Sequence, residues 1–126
     1  MTSALVVGGW LRGRGRRVAT FGALLVGAYD RWERLVWLGS VGTGFTDGSL
    51  RVLRARLDAL SQPISPFIVQ PPVPECDVSW VEPAIVVDVM HEVPRGSRSR
   101  LQAAVWKRIR FDLSPEAIAL PPQFSA

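Results

Sequence analysis

The period of the hydrophobic positions changes along the chain, and each change marks an element. Residues 4–11 form a run rich in valine and leucine that reads as a strand. Gly8 and Gly9 weaken it locally, as a bulge or bend would. Gly13 and Gly15 supply a turn, and residues 18–29 read as a second, longer strand interrupted by Gly22 and Gly27. Glycines inside a long strand permit the sharp coiling of a small barrel. "DRWE" is a second turn and residues 34–41 are a third strand, so the first third of the chain predicts an antiparallel meander. From Thr46 the period lengthens. Leucines at 50, 53, 57 and 60 make one helical stripe, with Arg51, Arg54 and Asp58 mostly on the opposite face and Thr46 or Asp47 placed to cap the N-terminus.

Residues 61–79 are proline-rich, including "QPPVP", and read as an extended, polyproline-like connection. Residues 80–93 form the fourth expected strand, alternating Ile85, Val87, Val89 and His91 on one face with Val86, Asp88, Met90 and Glu92 on the other. "PRGSRSR" turns the chain into a fifth strand over residues 103–113, and the closing "PPQFSA" reads as a frayed end. The expected domain is 1–115, with 116–126 as a C-terminal tail. Three strands, a helix and two strands is the order of an OB-fold, a mainly β, five-stranded Greek-key barrel with a helix between strands three and four.

Composition fits that picture. With 126 residues, 48% of them hydrophobic, the chain is one domain or a piece of a larger protein, and it can bury roughly two-thirds of its unfolded surface without a disulfide or metal. Its one cysteine, Cys76, excludes an internal disulfide and a cysteine-rich zinc site, fits a reducing compartment, and is expected half-buried in a loop. No apolar run approaches the ~20 residues of a membrane helix. The N-terminus lacks the basic region of a signal peptide. These features predict a cytoplasmic protein without a membrane partner.

Charge adds a direction. Fourteen of the fifteen basic residues are arginine and the formal net charge is +4. Genomic base composition alone can favour arginine. A guanidinium is nevertheless the side chain that best matches phosphate, since its planar fork donates two parallel hydrogen bonds. "LRGRGRR" packs Arg12, Arg14, Arg16 and Arg17 into the first turn, where they repel one another unless an anion lies among them. That turn is either solvated or a contact for a nucleic-acid backbone. On the fifth strand, alternation sets Trp106, Arg108, Arg110 and Asp112 on one face and Val105, Lys107, Ile109 and Phe111 on the other. This second basic element is an outer face with an Arg110–Asp112 pair, or a phosphate-facing row oriented by Asp112.

Other chemistry is thinly represented. There is no GxxxxGK[ST] phosphate loop, and "GTGFTDG" reads as a tight strand-to-helix connection. His91 has no cysteine or serine partner nearby in sequence and reads as a hydrogen-bonded barrel residue. The carboxylates are scattered, and no metal site is expected. Trp10, Trp32, Trp37 and Trp106 could stack single-stranded bases or fill the barrel core.

"VVGGWLRGRGRR", "FGALLVGAYD", "LGSVGTGFT", "SPF" and "WVEP", in this order, closely resemble the C-terminal domain of bacterial ATP-dependent DNA ligases, over residues 5–115. The resemblance implies an OB-fold that grips duplex DNA while a separate nucleotidyltransferase domain takes AMP from ATP onto a lysine, passes it to the 5′-phosphate of a nick and seals the strand. ATP and a divalent metal such as Mg would therefore be handled by that other domain. Duplex DNA, preferably nicked, and a separately encoded adenylation domain are the implied partners. "RIRFD" occupies the family's last motif, so Arg108, Arg110 and Asp112 inherit its supporting role toward pyrophosphate, while Arg12, Arg14, Arg16, Arg17 and Lys107 are the candidate DNA contacts. Many relatives end this motif with lysine, where Leu113 stands here. The KxDG motif that carries the nucleophilic lysine is absent, so this chain alone is expected to seal nothing. A non-enzymatic nucleic-acid-binding module and an inert ligase remnant are the alternatives.

Overall fold

The computed structural model describes residues 1–13, 21–92, 100–121 and 124. The first three strands are β1 (Thr2–Arg12), β2 (Phe21–Tyr29) and β3 (Leu35–Val41), paired antiparallel in the order β3-β2-β1. The meander expected from the sequence is thus present. Its β2–β3 turn is organised by Asp30, whose carboxylate accepts the Trp32 and Arg34 amides at 2.9 and 3.0 Å and the Arg34 Nε at 2.9 Å. Desolvation is the largest single influence on Asp30 and would raise its pKa. The bonds from the Arg34 and Trp32 amides and the Arg34 guanidinium together outweigh it and hold the carboxyl below its ordinary value.

Helix α1 (Asp47–Ala59) begins at Thr46, which caps it reciprocally with Ser49: Ser49 N–H donates to Thr46 Oγ1 at 3.1 Å, and Thr46 N–H donates to Ser49 Oγ at 2.8 Å. Leu50, Leu53 and Leu57 are buried, in agreement with the leucine stripe, while Leu60 is half-buried at the C-cap. The connection into α1 is tight. Gly44 has φ +95°, and a Cβ there would collide with the Trp106 carbonyl oxygen.

The second half departs from expectation. The proline-rich stretch is not merely extended: β4 (Ser61–Gln62) pairs β5 (Val78–Val81), Phe67 is buried in the core, and a single 3-10 turn spans Glu75–Asp77. Cys76, in that turn, is exposed. The expected fourth strand is two strands, β5 and β6 (Val86–Met90), separated at Pro83, which has no amide proton for a ladder. They lie end to end along β1, β5 opposite Gly9–Leu11 and β6 opposite Thr2–Val6. β7 (Val105–Arg110) pairs β6. The sheet therefore has seven strands among the described residues, where five were expected.

The architecture is mainly β and antiparallel, with one helix following the third strand, as an OB-fold requires. No ladder closes the sheet between β3 and β7 among the described residues. Two backbone hydrogen bonds cross that seam, from the Leu101 amide to Leu38 O and from the Trp106 amide to Thr43 O, both 2.9 Å. The core between sheet and helix includes Leu5, Val7, Leu24, Val26, Leu38, Leu53, Leu57 and Val87, all essentially without solvent contact.

The segment beyond residue 115 packs on this body. Ile118 and Phe124 are buried, the Tyr29 amide donates to Ile118 O and the Leu120 amide to Tyr29 O. No helix among the described residues is long and apolar enough to cross a membrane.

Candidate nucleic-acid and phosphate interface

Two strands build the principal charged cluster. Asp88 sits on β6 opposite Ala4 of β1 and Arg108 of β7, so pairing on both sides fixes its backbone. It is only 4% exposed. Burial of a carboxylate is costly unless cations and hydrogen bonds replace water. Here Arg108 Nε lies 3.0 Å from Asp88 Oδ2, and Arg110 Nη1 donates to Asp88 Oδ1 at 3.1 Å. The opposite edge of the same Arg110 guanidinium is bidentate to Asp112, Nε to Oδ1 and Nη2 to Oδ2, both 2.9 Å.

The electrostatics follow from this chain of contacts. The Arg110 side-chain bonds, then the Asp112 amide and the charges of Arg110 and Arg108, outweigh desolvation and lower the Asp112 carboxyl to about 2. Bonds to Asp112 and then to Asp88 raise Arg110 further above its ordinary value. Two arginines and two aspartates leave the cluster formally neutral.

The sequence placed Arg108, Arg110 and Asp112 in one row, and the structure brings them together. Trp106 does not join them. The β6–β7 register shifts between Asp88 and Val89, where Arg108 and Trp106 are the successive partners and Lys107 is the extra residue of a bulge. The bulge breaks simple alternation: Lys107 and Arg108 are both exposed, while Trp106 turns to the core and stacks on Phe45 with ring centroids 5.3 Å apart. Asp88 carries no sequence signal of its own: it shares its expected strand face with Val86, Met90 and Glu92, and nothing local marks its two arginine partners.

The second basic element is only partly described. Arg12 is exposed at the end of β1, opposite Phe21 of β2, and Arg14, Arg16 and Arg17 lie outside the described residues. Arg12 is six positions beyond Val6, whose row runs through Val86 to Arg110. At about 3.3 Å per residue, that separates Arg12 from the cluster by roughly 20 Å along β1. Helix α1 covers ground between them. The Arg54 guanidinium lies 4.5 Å from the Trp10 ring centre and the Arg56 guanidinium 4.7 Å from that of Phe111. Arg51 and Arg56 are exposed on that helix.

The remaining candidates have structural partners. His91 is buried; its Nδ1 donates to Glu92 O at 2.7 Å, and its Nε2 lies 2.8 Å from the Ser3 hydroxyl. Trp10 is buried and Trp37 half-buried. Trp32 stands out at 60% exposed, with the Arg31 and Arg34 guanidiniums 4.3 and 4.8 Å from its ring centre. Among the described residues, no group of three histidines, cysteines or carboxylates is arranged to hold a metal ion. Arg108 and Arg110 are chemically suited to the phosphate end of a nucleotide. The chain's single lysine, Lys107, is exposed on the β7 bulge and lies in no KxDG motif.

Comparison with known proteins identifies the family. The sequence model for the ATP dependent DNA ligase C terminal region matches residues 17–113. A multifunctional non-homologous end joining protein LigD from Mycolicibacterium smegmatis is 37% identical over 120 residues, covering 93% of this chain and 15% of that protein. A DNA ligase 2 from Thermofilum pendens is 41% identical over 90 residues, covering 71% of this chain and 15% of that protein. The crystal structure of the ligase domain of M. tuberculosis LigD superposes with a TM-score of 0.80 at 32% identity, covering 94% of this chain and 38% of that one. A mycobacterial DNA ligase D complexed with ATP and MES gives 0.77 at 30% identity, covering 96% and 38%. The chain thus spans a small fraction of the curated relatives it matches and little more than a third of the solved ligase domains.

Proposed function

The chain belongs to the family of ATP-dependent DNA ligase C-terminal regions, and from that membership we propose that it is the DNA-gripping part of a nick-sealing ligase, acting with an adenylation domain. The observation that carries the reading is the Arg108–Asp88–Arg110–Asp112 cluster. It gathers Arg108, Arg110 and Asp112, the residues this reading assigns to the family's last motif, around the buried Asp88. When bound in the adenylation domain, ATP supplies the activated adenylyl group and pyrophosphate as leaving group. The contribution of this chain is to orient: Arg110 carries a bidentate edge, held by Asp112 in this structure, and Arg108 adds a second positive charge beside it.

DNA contact in this reading runs from the far end of β1 toward the edge of the cluster. Arg12, Arg14, Arg16 and Arg17 lie along the duplex backbone, α1 extends the basic path through Arg51 and Arg56, and Lys107 adds a charge on the β7 bulge. Such contacts act by counterion release, so affinity falls steeply with salt. Replacing Arg14, Arg16 and Arg17 together with alanine is expected to weaken nicked-duplex binding and reduce the slope of log K against log[salt] by roughly 2 to 3, at about 0.9 per phosphate contact. An unchanged affinity and slope would show that these arginines do not contact the duplex.

The deciding experiment is reconstitution. This chain is combined with an adenylation domain supplied as a second chain, ATP, Mg and a nicked duplex. Sealing that requires both chains is expected. No sealing, with the adenylation domain demonstrably active toward ATP, would leave a binding module without enzymatic role. Trp32 favours that second reading to a degree, because an exposed indole beside arginines can stack single-stranded bases. Tighter binding of single strands than of nicked duplex would support it.

A further inference from the structure

We propose that Asp88 is the positioning residue for Arg108 and Arg110, and that exposed Asp112 occupies the edge of Arg110 at which a diphosphate group is to be received. The inference rests on the last-motif reading given above and adds a residue outside that motif. The two carboxylates on Arg110 are not equivalent. Asp88 is 5% exposed by side chain, sits mid-strand between β1 and β7, and holds both arginines. Asp112 is 66% exposed, lies beyond the last residue of β7, and holds Arg110 alone.

The geometry divides the guanidinium between them. Nη1 faces Asp88, whereas the Nε/Nη2 edge is engaged side-on by Asp112 with two bonds of equal length. Two phosphate oxygens ask for that same paired edge. An incoming diphosphate therefore competes with Asp112 and leaves the Asp88 bond intact. Asp112 is the replaceable ligand because it is hydrated and at the end of a strand. Asp88 is the permanent one, because removing it would leave two guanidiniums without their shared counterion.

Inorganic pyrophosphate is the probe, titrated into the intact chain while the Arg108 and Arg110 Nε–H signals are followed by NMR. Asp112→Asn removes the competing charge and is expected to bind pyrophosphate several-fold more tightly than the unaltered chain. Adding Asp88→Asn to that variant is expected to abolish the gain, with the remaining amide spectrum unchanged. Equal affinity of the single and double variants would overturn the role of Asp88. Absence of binding by Asp112→Asn would instead overturn the phosphate reading of the motif itself. Should the double variant fail to fold, the exposed Asp112→Asn change still decides. The Arg110 Nε–H order parameter in Asp112→Asn is expected to stay as high as in the unaltered chain, and a fall below about 0.6 would show that Asp88 does not hold the side chain.

Discussion

A single carboxylate can be read two ways until its partners are known, and Asp112 and Asp88 are the two instances here. Asp112 was legible: two residues after Arg110 on a strand, it had to share that side chain's face, and the pair is present with both bonds at 2.9 Å. Asp88 was not, because its partners come from a strand some twenty residues later and from a register that a bulge resets. Arginine pairing at Asp112 makes a prediction in pH. Its carboxyl titrates near about 2, below the ordinary value of about 3.9, so the pairing contributes fully above about 3.9 and is lost as pH falls through about 2. Arg110→Gln is expected to return the Asp112 titration to the ordinary carboxylate range, as read from side-chain carboxyl NMR shifts. A midpoint that stayed low would mean that the Asp112 amide, not Arg110, sets it. The pair is exposed, so thermal stability is a poor readout and titration the proper one.

At the level of elements, local signals carried far where local physics decides. Leucine spacing and the Thr46 cap located α1, and "DRWE" located a turn that Asp30 closes. The fourth strand failed for a physical reason: β-branched residues flank Pro83 on both sides, and composition alone does not say that the halves pair with different stretches of β1. Phe67 likewise sat in a proline-rich run, yet its backbone bridges Leu35 and its ring fills the core. Two substitutions test the α1 entry by urea unfolding. Thr46→Ala removes the reciprocal cap and is expected to cost about 1 kcal/mol. Gly44→Ala is expected to cost more, since it combines a left-handed φ with a collision against the β7 backbone. If the two costs were equal, the close approach of the connection to Trp106 would not be a constraint.

For the whole molecule, the family match covers residues 17–113, yet the chain on either side of it completes the body. β1 is the hub of the sheet, pairing β2 on one side and β5 and β6 on the other. His91 is where that strand meets the last described residue. Its amide donates to Met1 O at 2.8 Å, its ring hydrogen-bonds the Ser3 hydroxyl, and the Phe124 ring packs 5.7 Å from it. "PPQFSA" gave no sign of this, because one aromatic among prolines and polar residues has no period to read. Phe124 is 4% exposed, and its truncation to alanine removes a large buried ring from a site closed by strand pairing, which limits collapse into the void. The expected cost is about 3 kcal/mol, measured by urea unfolding. Hydrogen exchange should localise the effect, with faster exchange at the His91 amide, which donates to Met1, and little change at the β2–β3 ladder. A cost within about 0.5 kcal/mol, the range of ordinary surface changes, would return the segment to the role of a tail and place the end of the domain at residue 115.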